Sequence, residues 1–143
     1  MQHLGLSDRI IKLDRNIRFV GILNDRGEVI EGGFQQGVEP LLNDVDEQQL
    51  YLHSLSNLTT LELYGQKLGM VRFSMTEHEK VTLMTFPLGD RVLCISATPK
   101  ADMIKIRSSV MKVLKGFRSK GNIKPGRTKR NEKSKNSDVN NTK

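Results

Sequence analysis

Histidine and cysteine are the side chains of this sequence that most readily bind metals or react, and they are scattered along the chain. His3, His53 and His78 lie far apart, with no Glu or Cys at ligand spacing around them. The single cysteine, Cys94, sits in an apolar run that offers neither a base nor a cation to activate a thiol. We therefore predict surface histidines, a buried packing role for Cys94, and no catalytic, cofactor-binding or metal-binding residue.

Two further patterns have simpler explanations than a functional site. The carboxylates of Asp44, Asp46 and Glu47 would suit a cation, but they stand where acidic groups stabilise the start of a helix. Gly27 and the Gly32-Gly33 pair match neither phosphate-binding glycine motif, since no lysine follows at the required spacing. The sequence therefore gives no support for nucleotide binding.

The net charge of +7 belongs to the end of the chain. From residue 112 onward, 11 Lys and Arg stand against 2 Asp and Glu, whereas residues 1–111 hold 12 against 14 and are slightly acidic. From about residue 119 the apolar residues also thin out, so this part cannot bury enough surface to offset the entropy of ordering. We predict one domain over residues 1–118 and a disordered basic tail over 119–143.

The tail could hold phosphate groups of nucleic acid or of an anionic membrane surface, or it could be a solubilising end without a ligand. It has no aromatic residue, which argues against base stacking. The candidate phosphate-binding residues are Lys120, Lys124, Arg127, Lys129, Arg130, Lys133 and Lys135.

Cysteine content and hydropathy also limit the class of protein. A lone cysteine cannot form an intrachain disulfide, and no apolar run approaches the length of a membrane span. The amino terminus lacks the basic and apolar regions of a signal peptide. We expect a soluble cytoplasmic protein.

The first half of the sequence predicts a helix, a hairpin and a long helix. An amphipathic helix over 6–16, with Ser7 as its N-cap, precedes β-branched strands at 17–23 and 28–34 that flank an Asn, Asp and Gly turn. After an irregular stretch at 35–43, Asp44 and Glu47 resemble a capping box, and apolar residues at helical spacing run from Leu50 to Tyr64.

The second half predicts three successive strands and a last helix. The strands are expected at Met70–Met75, Val81–Phe86 and Arg91–Thr98, with a turn at Pro87–Asp90. The near-continuous apolar pattern of the third strand indicates a central position in the sheet. After Asp102, apolar residues from Met103 to Phe117 recur at helical spacing. The order is α-β-β-α-β-β-β-α.

This order over residues 6–118 resembles the roadblock/longin type of α+β sandwich and, more distantly, profilin. IRFVGILNDRGEVIEGGF (17–34) looks like the opening hairpin of the roadblock family, and KVTLMTFPLGDRVLCISATP (80–99) looks like its closing hairpin. The closing hairpin also resembles that of short archaeal proteins. The resemblance implies a five-stranded antiparallel sheet with the long helix on one face and the terminal helices on the other.

The resemblance also implies a non-enzymatic protein that dimerises, either with itself or with a similar chain. Roadblock proteins often act as scaffolds or regulators of small GTPases, and some are linked to dynein or to bacterial polarity. Their dimers bring long helices and edge strands together into a continuous sheet. The edge strand expected here comprises Met70, Val71, Arg72, Phe73, Ser74 and Met75.

Two alternatives remain at this point. A nucleic-acid-associated protein would dimerise through its globular domain and hold phosphate with its tail. A PAS-like sensor would bind a small molecule between sheet and helix, although no cluster of polar residues predicts a particular ligand.

Overall fold

The computed structural model describes residues 5–119 of the chain. Apart from the short helix α3, its elements follow the predicted order. The helices are α1 (Leu6–Ile11), α2 (Asp44–Glu62), α3 (Gly65–Leu68) and α4 (Met103–Ser119), and the strands are β1 (Ile17–Leu23), β2 (Val29–Phe34), β3 (Ser74–Glu77), β4 (Thr82–Leu88) and β5 (Arg91–Ala97).

The five strands form one antiparallel sheet in the order β2-β1-β5-β4-β3. β5 occupies the centre, as its apolar pattern predicts, and β2 and β3 are the two edges. The predicted α+β architecture with a central five-stranded antiparallel sheet is confirmed.

The first hairpin, β1–β2, is built by the chemistry of its turn. The Asn24 side-chain oxygen accepts hydrogen bonds from the backbone N–H groups of Arg26 at 2.9 Å and Glu28 at 3.0 Å. Gly27 has a φ of +77°, a conformation that favours glycine. The Asn, Asp and Gly signal in the sequence therefore identifies the turn correctly.

Buried side chains alternate between the two faces of the sheet. On one face α1 and α4 cover a cluster of fifteen buried apolar residues, including Phe86 and Leu114. We call this the α1–α4 face. On the opposite face, the α2 face, helix α2 covers a cluster of seven: Phe19, Leu23, Tyr51, Leu55, Leu58, Val92 and Cys94.

The first helix is shorter than the sequence predicts. α1 ends at Ile11 instead of Asn16, and it begins after Gly5, so Ser7 is not its N-cap. The buried Ser7 hydroxyl instead donates a hydrogen bond of 2.7 Å to the Glu31 carboxylate. Ser7 therefore ties α1 to β2, a contact between distant residues that local patterns do not show.

The long helix starts close to its predicted position but uses a different cap. The N-cap of α2 is Asn43, whose side-chain oxygen accepts a 2.7 Å hydrogen bond from the backbone N–H of Asp46. The helix ends at Glu62, and after a two-residue turn α3 continues to Leu68. Gly69, with a φ of +87°, ends α3.

The strand predicted at Met70–Met75 is displaced, because β3 begins only at Ser74. Its ladder with β4 starts with Ser74 opposite Thr85. Continuing the same register toward the amino terminus would place Arg72 opposite Pro87. Proline has no N–H to donate to a ladder, which explains why pairing stops there. Pro87 itself belongs to β4 and not, as predicted, to the following turn.

Candidate protein-interaction surface

β3 is an edge strand with few charges. It pairs with β4 on one side, and within residues 5–119 no strand pairs with its other side. Ser74 and Thr76 point to the α2 face, whereas Met75, 46% exposed, points to the α1–α4 face. Glu77 is its only charged residue. Unpaired backbone groups on such an edge are a template for another strand.

The structure places the six residues predicted for this edge in two groups. Ser74 and Met75 lie in β3, and the other four precede it. Within the preceding segment, Val71 packs against the α2-face cluster and Phe73 against the α1–α4 cluster. The residues before β3 therefore attach the edge strand to both layers of the sandwich.

On the α1–α4 face, Phe73 makes an aromatic stacking contact and a cation–π contact. Its ring stacks on that of Phe86 with 5.7 Å between centroids, and the Arg107 guanidinium lies 4.6 Å from its centroid. The buried Nε of Arg107 has no hydrogen-bond partner among the described residues. The ring face therefore provides an electrostatic partner for this cation and helps to fix the start of β3.

Exposed apolar side chains are concentrated in the stretch that leads into β3, which we call the 61–70 segment. Leu63 is 76% exposed and Leu68 81% exposed, and Leu61, Tyr64 and Met70 are also exposed. Concentrated exposed apolar surface is typical of interaction sites. The sequence pattern did not reveal this surface, because Leu61, Leu63 and Tyr64 continue the helical spacing of buried leucines.

A groove of about 460 Å³ lies between α2 and the β3–β4 hairpin. We call it the β3 groove. Many of its lining residues have polar side chains: hydroxyl and amide groups come from Ser54 and Asn57 on α2 and from Ser74 and Thr76 on β3. The Asn57 side-chain nitrogen lies 3.5 Å from the Ser74 hydroxyl oxygen. α2 therefore reaches the edge strand without sealing the space beneath it.

Two of the histidines line this groove together. His53 belongs to α2 and His78 follows β3, and the structure places both at one groove although they lie far apart in the sequence. Within residues 5–119, no three His, Cys, Asp or Glu side chains gather as metal ligands. His3 lies outside the described residues.

The predicted acidic cluster forms the first turn of α2. Burial and the neighbouring Asp44 carboxylate raise the pKa of Glu47. Burial also raises the pKa of Tyr51, and the charge of Glu47 adds to this shift. The three carboxyl groups stand at the N-terminus of α2, where the helix dipole favours negative charge. At Glu47 this effect is outweighed by burial and by the charge of Asp44.

Cys94 is buried in β5 on the α2 face, in agreement with the predicted packing role. Burial raises the pKa of its thiol to about 12. Since the thiolate is the reactive form, this cysteine is protonated and unreactive near neutral pH.

The basic residues predicted to bind phosphate, Lys120 to Lys135, lie outside the described residues. The helix before them, α4, has five basic residues and no acidic one. Lys105, Lys112 and Lys115 are exposed on it. No helix within residues 5–119 is long and apolar enough to span a membrane.

A family model matches residues 7–120, a range that includes nearly every element described above. The chain belongs to this family of unknown function (DUF6659). The match includes the whole sheet with β3 and α2, so both candidate interaction elements are parts of the DUF6659 domain. No curated protein sequence matches the chain.

Solved structures show the fold of this DUF6659 chain. A Roadblock/LC7 domain from Streptomyces avermitilis is 15% identical with a TM-score of 0.60, covering 80% of the chain and 92% of that domain. MglB of Myxococcus xanthus is 19% identical with a TM-score of 0.58, covering 76% and 85%. The gliding protein MglB of Thermus thermophilus is 11% identical with a TM-score of 0.63, covering 81% and 87%. The DUF6659 chain therefore has the roadblock fold.

Proposed function

We propose that this protein is a non-enzymatic scaffold of the roadblock type. It pairs through β3 and α2 with a second copy or with a similar domain, and the resulting dimer binds or regulates a small GTPase. The edge strand β3, preceded by the exposed 61–70 segment, is the observation that carries this proposal.

Pairing across β3 would give hydrogen-bond partners to the backbone groups on its unpaired edge. A two-fold axis beside the strand would set two copies of β3 antiparallel and join two five-stranded sheets into one of ten strands, because an interface on a two-fold axis is self-complementary. The edge carries little that opposes such pairing, since Glu77 is its one charged residue. The exposed leucines before β3 would lose water in the same step.

The charge distribution of α2 is compatible with two such helices side by side. Three of its four acidic residues occupy its first turn and the fourth, Glu62, ends it, so positions 48–61 carry no Asp, Glu, Lys or Arg. At 1.5 Å per residue the helix is about 28 Å long. In an antiparallel pair the two acidic first turns therefore lie far apart, and the uncharged centres meet without repulsion.

The fold supports the GTPase part of the proposal. Roadblock proteins often regulate small GTPases, and this chain shares the fold of a Roadblock/LC7 domain over 80% of its length. A dimeric sheet with two α2 helices on one side offers a broad surface for such a partner.

Light scattering coupled to size exclusion tests the dimer, and two matched variants locate it. We expect a dimer at tens of micromolar, and a monomer for Met75→Lys, which puts a charge on the β3 edge. Ile30→Lys makes the same change at the opposite edge, at a site of similar exposure, 43% against 46%, and should remain dimeric. A wild-type monomer, or equal loss in both variants, contradicts the proposal.

Binding to small GTPases from the same genome tests the second part. Each GTPase is loaded with GDP or with a non-hydrolysable GTP analogue and titrated with the full-length chain. A regulator should distinguish the two nucleotide states by about ten-fold in affinity. Equal binding of both states, or none to any GTPase, contradicts a regulatory role.

A nucleic-acid-associated protein is the second candidate function, and α4 favours it. Lys105, Lys112 and Lys115 present exposed positive charge on the helix that leads into the basic end of the chain. Such binding would be independent of sequence and would weaken steeply with salt. Removal of residues 119–143 should reduce nucleic-acid retention at low salt, and unchanged retention would exclude a role for the tail.

A further inference from the structure

A second cavity of about 390 Å³ lies under the amino-terminal half of α2. We call it the α2 cavity. Its floor is the α2 face of the sheet, with Phe19 on β1 and Cys94 on β5. Leu50 and Tyr51 of α2 and Leu42 of the preceding loop form its wall. This volume falls in the range of small-molecule sites, about 300–1,000 Å³.

The irregular stretch before α2 gives the cavity its exposed apolar rim. Leu41 and Leu42 line the opening, and both are exposed even though they lie beside a largely apolar interior. Their side chains gain little from the fold, because the space that would bury them is not filled by the described residues. A ligand in the cavity would cover these two leucines and the aromatic floor together.

The few polar groups in the cavity are mostly neutral. Thr85 on β4 and Ser96 on β5 add hydroxyl groups to its floor. The Cys94 thiol beside them is protonated, since burial raises its pKa to about 12. These groups can donate or accept a hydrogen bond, but they provide no charge to balance an ion.

The charged groups at the opening of the cavity have opposite signs. Arg18 and Glu47 both line it, and one Arg18 Nη donates a 2.8 Å hydrogen bond to the Glu39 carbonyl oxygen. Burial raises the pKa of Glu47, so this position disfavours charge. His78 lies among the lining residues as well. An anionic ligand would meet the Glu47 carboxyl group as well as the Arg18 guanidinium, so its desolvation would be only partly compensated.

We propose that the α2 cavity binds a small, uncharged, mainly apolar molecule with one hydroxyl or carbonyl group, held by hydrogen bonds to Thr85 or Ser96. Its ring or branched chain lies between Phe19 and the leucines of the wall. This site goes beyond the proposed scaffold function and stands whether or not the protein dimerises.

Naphthol is a suitable probe, since it joins an aromatic body to one hydroxyl group. Titration of the full-length chain, followed by amide chemical shifts in NMR, should give saturable shifts at Thr85, Cys94 and Ser96. Naphthalene sulfonate has the same rings but a negative charge, and it should bind at least about ten-fold more weakly. Equal affinity for both probes, or no saturable shift with naphthol, would overturn the proposal.

Two variants of α2 separate the α2 cavity from the β3 groove. Ser54 lines both spaces, whereas Ser56 lines only the β3 groove. Ser54→Leu fills part of the cavity and should weaken naphthol binding at least about ten-fold. Ser56→Leu, the same change two residues further along, should leave it unchanged. Equal weakening by both variants would place the probe in the β3 groove and contradict the proposal.

The Met75→Lys variant excludes a second copy as the occupant of the cavity. If naphthol binds this variant and the wild type with equal affinity, the cavity is free for a ligand in either oligomeric state. If it binds only the monomer, the partner copy occupies the cavity and the proposal is wrong. Since oligomeric state is measured separately, failure of the ligand site can be distinguished from failure of the dimer.

Discussion

The two faces of the sheet are packed differently. On the α1–α4 face two helices bury fifteen apolar residues in one cluster. On the α2 face one helix buries seven, and two spaces of about 390 and 460 Å³ remain between helix and sheet. A space of about 460 Å³ also borders the first face, between α1 and the β2 edge, but no residue of α4 lines it. Around α4 the first face resembles the close-packed interior of a stable domain. The second keeps surface available, which suits a face that binds other molecules.

The helices covering these faces differ in the same way. In α4 the buried residues Ile106, Val110 and Leu114 follow one stripe, and the charges on the helix are all basic. In α2 the charges are all acidic and stand at the ends, while exposed Leu52 and Leu61 lie off the buried stripe. α4 is thus an amphipathic helix whose one strongly exposed apolar side chain among the described residues is Ile104. α2 exposes three apolar side chains, Val45, Leu52 and Leu61.

Leucine-to-alanine changes on the two helices should test this difference in packing most strongly. Leu114 on α4 and Leu58 on α2 are each 1% exposed. Such changes cost about 2–5 kcal/mol, depending on how far the surroundings collapse into the space left behind. We expect Leu114→Ala near the upper end and Leu58→Ala near the lower end in urea unfolding, because α2 can shift over the spaces beside it.

Equal or reversed costs would break the comparison, since they would show that the α2 face is packed as rigidly as the other. Leu63→Ala is the control. Its side chain is already 76% exposed, so it should change the free energy of unfolding by less than about 0.5 kcal/mol.

Local patterns in the sequence predict most elements of the fold but not the contacts between distant residues. Apolar patterns and turn signals locate β1, β2, β4 and β5 to within two residues, and the uninterrupted run of β5 correctly indicates its central place. The displaced β3 depends on Pro87 in a neighbouring strand, and the role of Ser7 depends on Glu31, 24 residues away. These are contacts across the sheet, which a local pattern does not contain.

The candidate surface was predictable only in outline. An edge strand near Met75 followed from the order of elements, but the 61–70 segment and the two cavities did not. Helical spacing shows which residues share a side of α2. It does not show how much of that side the sheet covers, or that spaces remain between α2 and the sheet.

Substitution of a glycine in β1 tests the packing of the α2 face and should have a smaller effect on stability. Gly21 lies beneath the Phe19 ring, and a Cβ at this position would come within 2.6 Å of it. Gly21→Ala should force the ring upward, away from its stacking with Tyr51 at 5.8 Å, and cost about 1–3 kcal/mol in urea unfolding.

Gly33→Ala, in the next strand, is the matched control. It should change the free energy of unfolding little, because a Cβ there meets nothing within 4 Å. The double variant Gly21→Ala with Phe19→Leu should recover part of the loss, since the smaller side chain relieves the clash. Additive costs in the double variant would show that the ring and the glycine are independent, and that the α2 face is not organised around Phe19.

Alkaline pH should gradually lower the free energy of unfolding through two groups on the α2 face. Burial raises the pKa of the Cys94 thiol from its ordinary 9.0 to about 12, and it raises the pKa of Tyr51 from its ordinary 10.0. Between the unfolded and folded pKa values, the unfolded chain has lost a proton that the folded chain retains. The stability that depends on these groups is therefore intact below about pH 9 and lost as the pH rises toward about 12.

The slope of unfolding free energy against pH assigns this effect to one face. Each group contributes at most about 1.4 kcal/mol per pH unit. Cys94→Ala and Tyr51→Phe should each flatten the decline above about pH 9. Leu114→Ala should lower stability at every pH with an unchanged slope, because the fifteen-residue cluster around it contains no ionisable side chain. A slope that is unchanged from the wild type in both α2-face variants would mean that the alkaline loss arises elsewhere and that the two faces do not differ in this respect.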